Sequence, residues 1–121
     1  MKTVRSLVEL STQFLANKGI ASARRQSEDL LAFCLGIKRL DLYLDYDRPV
    51  EEVEVDHFRS FIKQKGERRP FEYIVGRSSF LGLELSVNSD VLIPRQETEV
   101  CLDHVLNEYD LSDKTVWDIA T

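Results

Sequence analysis

Apolar residues recur at helical spacing in three places along the first 65 positions. Residues 4–18 put Val4, Leu7, Val8 and Leu15 on one stripe with Phe14 beside them, and Gly19 stands ready to stop the helix. Residues 22–35 repeat the pattern with Ala23, Leu30, Leu31, Cys34 and Leu35; Ser22 is placed to cap the start and Gly36 to close the end. Residues 51–65 carry Val55, Phe58 and Ile62 as their stripe, with Gly66 as the stop. Glu51, Glu52 and Glu54 crowd the start of that helix, while Arg59, Lys63 and Lys65 gather near its end, as the helix dipole favours. Between these helices, "RLDLYL" is ambiguous between a helical turn and a strand, and "DYDRP" after it signals a turn. Three or four short amphipathic helices on brief loops predict a small helical bundle.

After "RRP" the period changes from helical to two-residue. Leu83, Leu85 and Val87 alternate with Glu84, Ser86 and Asn88, and Gly82 predicts a turn between two short strands. Val91, Leu92 and Ile93 form an apolar run read as a strand, which Pro94 must end because it lacks an N–H and holds the preceding residue extended. Helical spacing returns from Thr98 through Leu102, Val105, Leu106 and Tyr109. "KTVWDIAT", residues 114–121, reads as a buried strand.

Charge sharpens this division. Residues 1–70 hold 13 Lys/Arg against 11 Asp/Glu, a balance of +2; residues 71–121 hold 3 against 10, a balance of −7. Two segments of opposite character suggest two structural units with different partners. No apolar run approaches the roughly 18 residues a membrane span needs, and Glu9 interrupts the start before any signal-peptide core could form. Cys34 and Cys101 lie far apart without metal-ligand spacing, each among apolar neighbours, so the expectation is two buried thiols in a reducing cytoplasm.

Candidate chemistry concentrates in "NSDVLIPRQETEV" and "VWDIAT". The first packs Arg95, Gln96, Glu97, Thr98 and Glu99 behind a strand-ending proline, and the residues alone fit either a well-capped helix start or one wall of a site. The second is an apolar strand closing on Asp118, as the first strand of a Rossmann-like nucleotide-binding unit does, although a generic strand ending in aspartate reads the same way. Arg59, Lys63, Lys65, Arg68 and Arg69 form a basic group that fits a solvated helix end or a docking surface. His57 and His104 have no neighbour at ligand spacing and read as surface residues.

From "RRPFEYIVG" through "FLGLELSVNSDVLIPRQETE" to "VWDIAT" the chain resembles the release-factor glutamine methyltransferases of the HemK/PrmC family. Pro70, Tyr73, Ile74 and Gly76 match the family's P-x-x-Y-I-x-G, Phe80, Gly82 and Val87 its F-x-G-x-x-F/L-x-V, and Val91 to Glu99 its V-L-I-P-R-P-E-T-E, with Gln96 standing where the second proline is usual.

The fold class that this resemblance implies is mainly α. A helical N-terminal substrate-recognition domain (1–70) precedes a β-hairpin linker (71–94) and the first helix and strand (95–121) of a truncated Rossmann-like α/β methyltransferase domain. It implies S-adenosylmethionine as methyl donor for the whole enzyme, though not bound by this segment alone. The implied protein substrate is a peptide chain release factor, modified on the glutamine of its Gly-Gly-Gln motif. Asp118, Thr121, Arg95, Glu97 and Thr98 would border the cofactor, Leu92 would help wall the glutamine pocket, and Arg68 and Arg69 would contact the substrate. The family's Gly-rich cofactor loop and Asn-Pro-Pro-Tyr motif have no counterpart in residues 1–121. The segment is therefore expected to be an inactive, monomeric piece with no catalytic residue of its own, no metal, no membrane contact and no direct nucleic-acid binding. Its strand 114–121 is expected to fray or to pair with a neighbouring molecule, lacking a sheet to join. A free-standing helical adaptor and a nucleic-acid amino-methyltransferase of the same fold are the competing readings.

Overall fold

The first helix begins where Thr3 and Ser6 cap one another. The Ser6 N–H donates to Thr3 Oγ1 at 3.2 Å and the Thr3 N–H to Ser6 Oγ at 2.9 Å. The computed structural model describes residues 2–119. Its elements are α1 (Val4–Asn17), α2 (Ala23–Leu35), a 3₁₀ turn (Arg39–Tyr43), α3 (Glu52–Gly66), α4 (Phe71–Val75), β1 (Arg77–Phe80), β2 (Leu83–Ser86) and α5 (Gln96–Glu108). The chain is mainly helical with one hairpin, and it divides into two compact units after Val75.

Within the first unit, two helix ends follow the sequence closely. Gly19 takes a left-handed φ of 76°, and the Ile20 N–H then reaches back to the Leu15 carbonyl at 3.0 Å, satisfying an acceptor the helix leaves open. Gly36 does the same after α2, with the Ile37 N–H on the Ala32 carbonyl. The start of α1 is also tied from outside: the Val4 and Arg5 N–H groups donate to the carbonyls of Arg48 and Tyr46. The ambiguous "RLDLYL" resolves as the 3₁₀ turn, pinned by the fully buried Leu42.

The stripes read from the sequence meet as one core. Leu7 and Leu15 of α1, Leu30 and Leu31 of α2, and Val55, Phe58 and Ile62 of α3 are all buried. Phe61 and the α4 residue Ile74 join them, and neither belonged to a predicted stripe. One carboxylate is buried with this core: Glu28 is 1% exposed. Its oxygens accept from Arg24 Nε at 3.1 Å, from Arg39 Nη1 at 3.4 Å and from the Tyr43 hydroxyl, which lies 2.9 Å from both. Arg24 also donates to the Tyr46 hydroxyl. This knot fastens the 3₁₀ turn to α2, and the buried charge is supported because every partner also hydrogen-bonds it.

Three expectations in this unit need correction. Ser22 makes no side-chain cap; it sits at φ 52° and only its carbonyl serves α2, accepting from the Gln26 N–H. Gly66 does not follow α3 but is its last residue, and the left-handed position falls on Arg68 at φ 65°. Residues 71–75, expected in the hairpin linker, form helix α4, so the helical unit runs five residues past the expected boundary.

In the second unit, β1 and β2 pair antiparallel with Arg77 opposite Ser86 and Phe80 opposite Leu83. Leu81 and Gly82 make the two-residue turn with φ of 47° and 78°, the two positive values a type I′ turn requires. The expected strand at 91–93 is absent: an Asn88–Asp90 turn and an extended stretch lead to α5, which starts at Gln96 rather than Thr98. Residues 114–119 form no strand and lie exposed; Ala120 and Thr121, the end of that expected strand, are outside the described residues. No parallel Rossmann sheet is present among the described residues.

Candidate functional site

The helical unit carries an apolar groove between α1 and α3. It is a cavity of about 350 Å³ whose floor is Leu7, Leu10 and Phe14 of α1 with Phe58 and Ile62 of α3. These five arise directly from helical spacing, since Leu7, Leu10 and Phe14 rise one face of α1 and Phe58 and Ile62 stand four apart on α3. Leu7, Phe58 and Ile62 are buried beneath, whereas Leu10 at 53% and Phe14 at 40% exposure remain open to solvent. Ser11, which also lines the cavity, turns its hydroxyl inward onto the Leu7 carbonyl at 2.6 Å and presents no free donor.

Gly66 sets the position of Phe14. A Cβ there would come within 2.9 Å of the Phe14 ring, so the ring crosses α3 at the one residue that leaves room. Lys18 Nζ lies 5.6 Å from the same ring, a cation–π approach.

The edge of the groove is formed by Lys2, Arg59 and Lys63, and no carboxylate lines it. Arg59 pairs with Asp56 at 3.2 Å, and both are exposed; among the described residues Lys2 and Lys63 have no ion pair. Two of the five residues in the sequence-derived basic group, Arg59 and Lys63, thus belong to this rim. Arg68 is otherwise engaged, its Nη2 donating to the Lys18 carbonyl at 3.1 Å and closing the end of α1. Lys65 is partly buried, and its ammonium pKa is lowered by burial against the opposing pull of Glu72. Arg69 is exposed, its carbonyl 3.4 Å from Lys65 Nζ.

In the second unit, Arg95 is the residue before α5 and its carbonyl accepts from the N–H groups of Thr98 and Glu99. Arg95, Glu97 and Thr98 are together at the start of α5, all exposed and, among the described residues, without side-chain hydrogen bonds or ion pairs. Leu92 is 75% exposed, and Asp118 is exposed on the segment after α5. Sequence reasoning missed Glu99: its Oε1 accepts from the Leu81 N–H at 3.3 Å, tying the hairpin turn to α5. The only available signal was its place in the first turn of a helix, where carboxylates commonly accept backbone bonds.

The cysteines differ from expectation. Both are free, but Cys101 is exposed and Cys34 only half-buried. Burial, with the Glu54 carboxylate adding to it, pushes the Cys34 thiol up to about 12. Among the described residues no group of His, Cys, Asp and Glu could hold a metal ion, and no helix is long and apolar enough to cross a membrane. His57 is exposed with its ring 4.5 Å from Phe61, and His104 is exposed on α5.

Residues 6–76 match the PrmC N-terminal domain family, more than half of the chain. The chain is 39% identical over 104 residues to a release factor glutamine methyltransferase of Chlorobaculum tepidum, covering 86% of this chain and 35% of that protein. It is 36% identical to the protein of the same name from Geobacter sulfurreducens, covering 86% and 37%. A third, from Leptospira interrogans, is 34% identical over 121 residues, covering 98% of this chain and 42% of its own length. The chain therefore spans about two fifths of these relatives.

Proposed function

This chain belongs to the PrmC N-terminal domain family, and from that premise we propose that it supplies the protein-recognition part of a release factor glutamine methyltransferase. The helical unit holds a peptide chain release factor. Catalytic machinery outside residues 1–121 then methylates the glutamine side-chain amide of its Gly-Gly-Gln motif. The observation that carries this reading is a coincidence of boundaries: the family match at 6–76 falls on the helical unit that ends at Val75. That unit has its own core and leaves an apolar groove open, the arrangement of a binding module.

The chemistry explains why recognition needs a dedicated unit. An amide nitrogen is a poor nucleophile because its lone pair is delocalised into the carbonyl. The reacting nitrogen must be held in line with the donor, and much of the barrier is lowered by positioning. Binding far from the reacting atoms supplies that positioning. S-adenosylmethionine, when bound, supplies an electrophilic methyl group on a sulfonium. Arg95, Glu97 and Thr98 are exposed polar groups at a helix start, which suits the charged methionine end of such a cofactor. Asp118 and Thr121 would border that same end, and Leu92, exposed here, would wall the glutamine pocket. Arg68 acts first as the clasp on α1, so Arg69 is the stronger substrate contact of the two.

Calorimetric titration of this chain with a purified release factor tests the reading. Binding is expected, together with no methyl transfer from labelled S-adenosylmethionine by this chain alone. Affinity weaker than about 1 mM would contradict the recognition role.

A further inference from the structure

The groove between α1 and α3 specifies its occupant further than "a protein". Its floor is apolar, and the backbone of both flanking helices is engaged in its own hydrogen bonds. An extended segment laid there would lose water from its N–H and C=O groups and find no partners for them, a cost that native structures avoid. A helix satisfies its own backbone and offers only side chains, so it suits this surface. The groove floor from buried Leu7 through exposed Leu10 to exposed Phe14 rises about 10 Å, two helical turns, which matches apolar anchors at i, i+3 or i+4, and i+7 on a partner. The rim then sets the sign of charge. Among the described residues Lys2 and Lys63 have no carboxylate partner and Arg59 has an exposed one, so the edge favours carboxylates and repels cations.

We propose that this groove receives an acidic amphipathic helix, its leucine-type stripe on Leu10 and Phe14 and its carboxylates toward Lys2, Arg59 and Lys63. That the helix belongs to the release factor rests on the function proposed above; the groove's chemistry does not. Gly66 is part of the device, because it lets Phe14 lie across α3 and complete the floor.

The test uses the whole chain and three probes. One is a fluorescent helical 15-mer with leucines at i, i+4, i+7 and i+11 and glutamates elsewhere; the second is its counterpart with lysines for glutamates; the third is a purified release factor. The acidic peptide is expected to bind, to weaken as salt rises, and to compete with the release factor, while the lysine peptide does not bind. Leu10→Asp and Lys63→Glu change exposed positions, and each is expected to weaken both partners roughly tenfold with unchanged thermal unfolding. Equal binding of the two peptides would overturn the proposal, as would an unchanged acidic-peptide affinity in both variants. Release-factor binding that survives both variants and is not displaced by the acidic peptide overturns the assignment of the helix to the release factor, yet leaves the proposed function standing. Acidic-peptide binding that depends on Leu10 and Lys63, with no release-factor binding, supports the groove and removes the proposed function.

Discussion

Helices α2 and α5 have the same length, 13 residues, and similar amphipathic spacing, yet they meet different fates. α2 buries Leu30 and Leu31 completely between its neighbours, and even a glutamate is drawn under cover there. α5 buries no residue at all, and Leu106 and Tyr109 on its apolar side are both more than half exposed. Periodicity therefore states which face a helix can bury, and the surrounding chain decides whether it does. The helical unit has its partners within the chain; α5 buries nothing, and Glu99 ties it to the hairpin turn.

The contrast can be broken by mutation. Leu31→Ala deletes a fully buried side chain from the core and is expected to cost about 3 kcal/mol, lowering the unfolding midpoint by over roughly 10 °C. Glu28→Ala should cost about 2 kcal/mol, because the charged hydrogen bonds are lost while Arg24 and Arg39 keep enough exposure to rehydrate. Chemical denaturation of each variant checks both values. If Leu31→Ala proved no more costly than Leu106→Ala, the division between a packed and an unpacked unit would collapse.

Smaller effects sharpen the same comparison. The Cys34 thiol titrates near 12 in the folded chain against an ordinary 9.0. The folded state therefore keeps its proton over a range where the unfolded chain has lost it. Stability from this source is complete below pH 9 and drains away as pH climbs toward 12. A Cys34→Ala variant should show a flatter stability profile across that window. The Ser27 side chain is fully buried with no partner for its hydroxyl among the described residues, so Ser27→Ala should be neutral or stabilising by up to about 1 kcal/mol. Leu106→Ala, at an exposed site, should stay within about 0.5 kcal/mol of the parent.

Much of the helical unit was legible because its signals are local. Gly19 and Gly36 stand where a left-handed residue is required, and the α1 and α3 stripes name most of the core. Gly66 misled because its role is spatial: it clears the way for Phe14, while Arg68 bears the positive φ that a glycine normally takes. Cys101 misled because adjacent residues on a helix do not share a face, so apolar Val100 and Leu102 say nothing about its cover. The run Val91–Ile93 and the segment 114–119 have strand composition, yet among the described residues the paired strands are 77–80 and 83–86, because composition does not specify which segments pair. The basic group was visible in the sequence; that two of its members face an apolar floor supplied by α1 was not, since the groove depends on how two helices pack.

The central claim is that recognition resides in the helical unit, through the face shared by α1 and α3. An NMR footprint on the isotope-labelled chain, titrated with unlabelled release factor, reads this residue by residue. The account expects the largest shifts at Leu7, Leu10, Phe14, Arg59 and Lys63, with α5 nearly silent. Shifts confined to residues 76–119, with the α1 and α3 face unmoved, would contradict it.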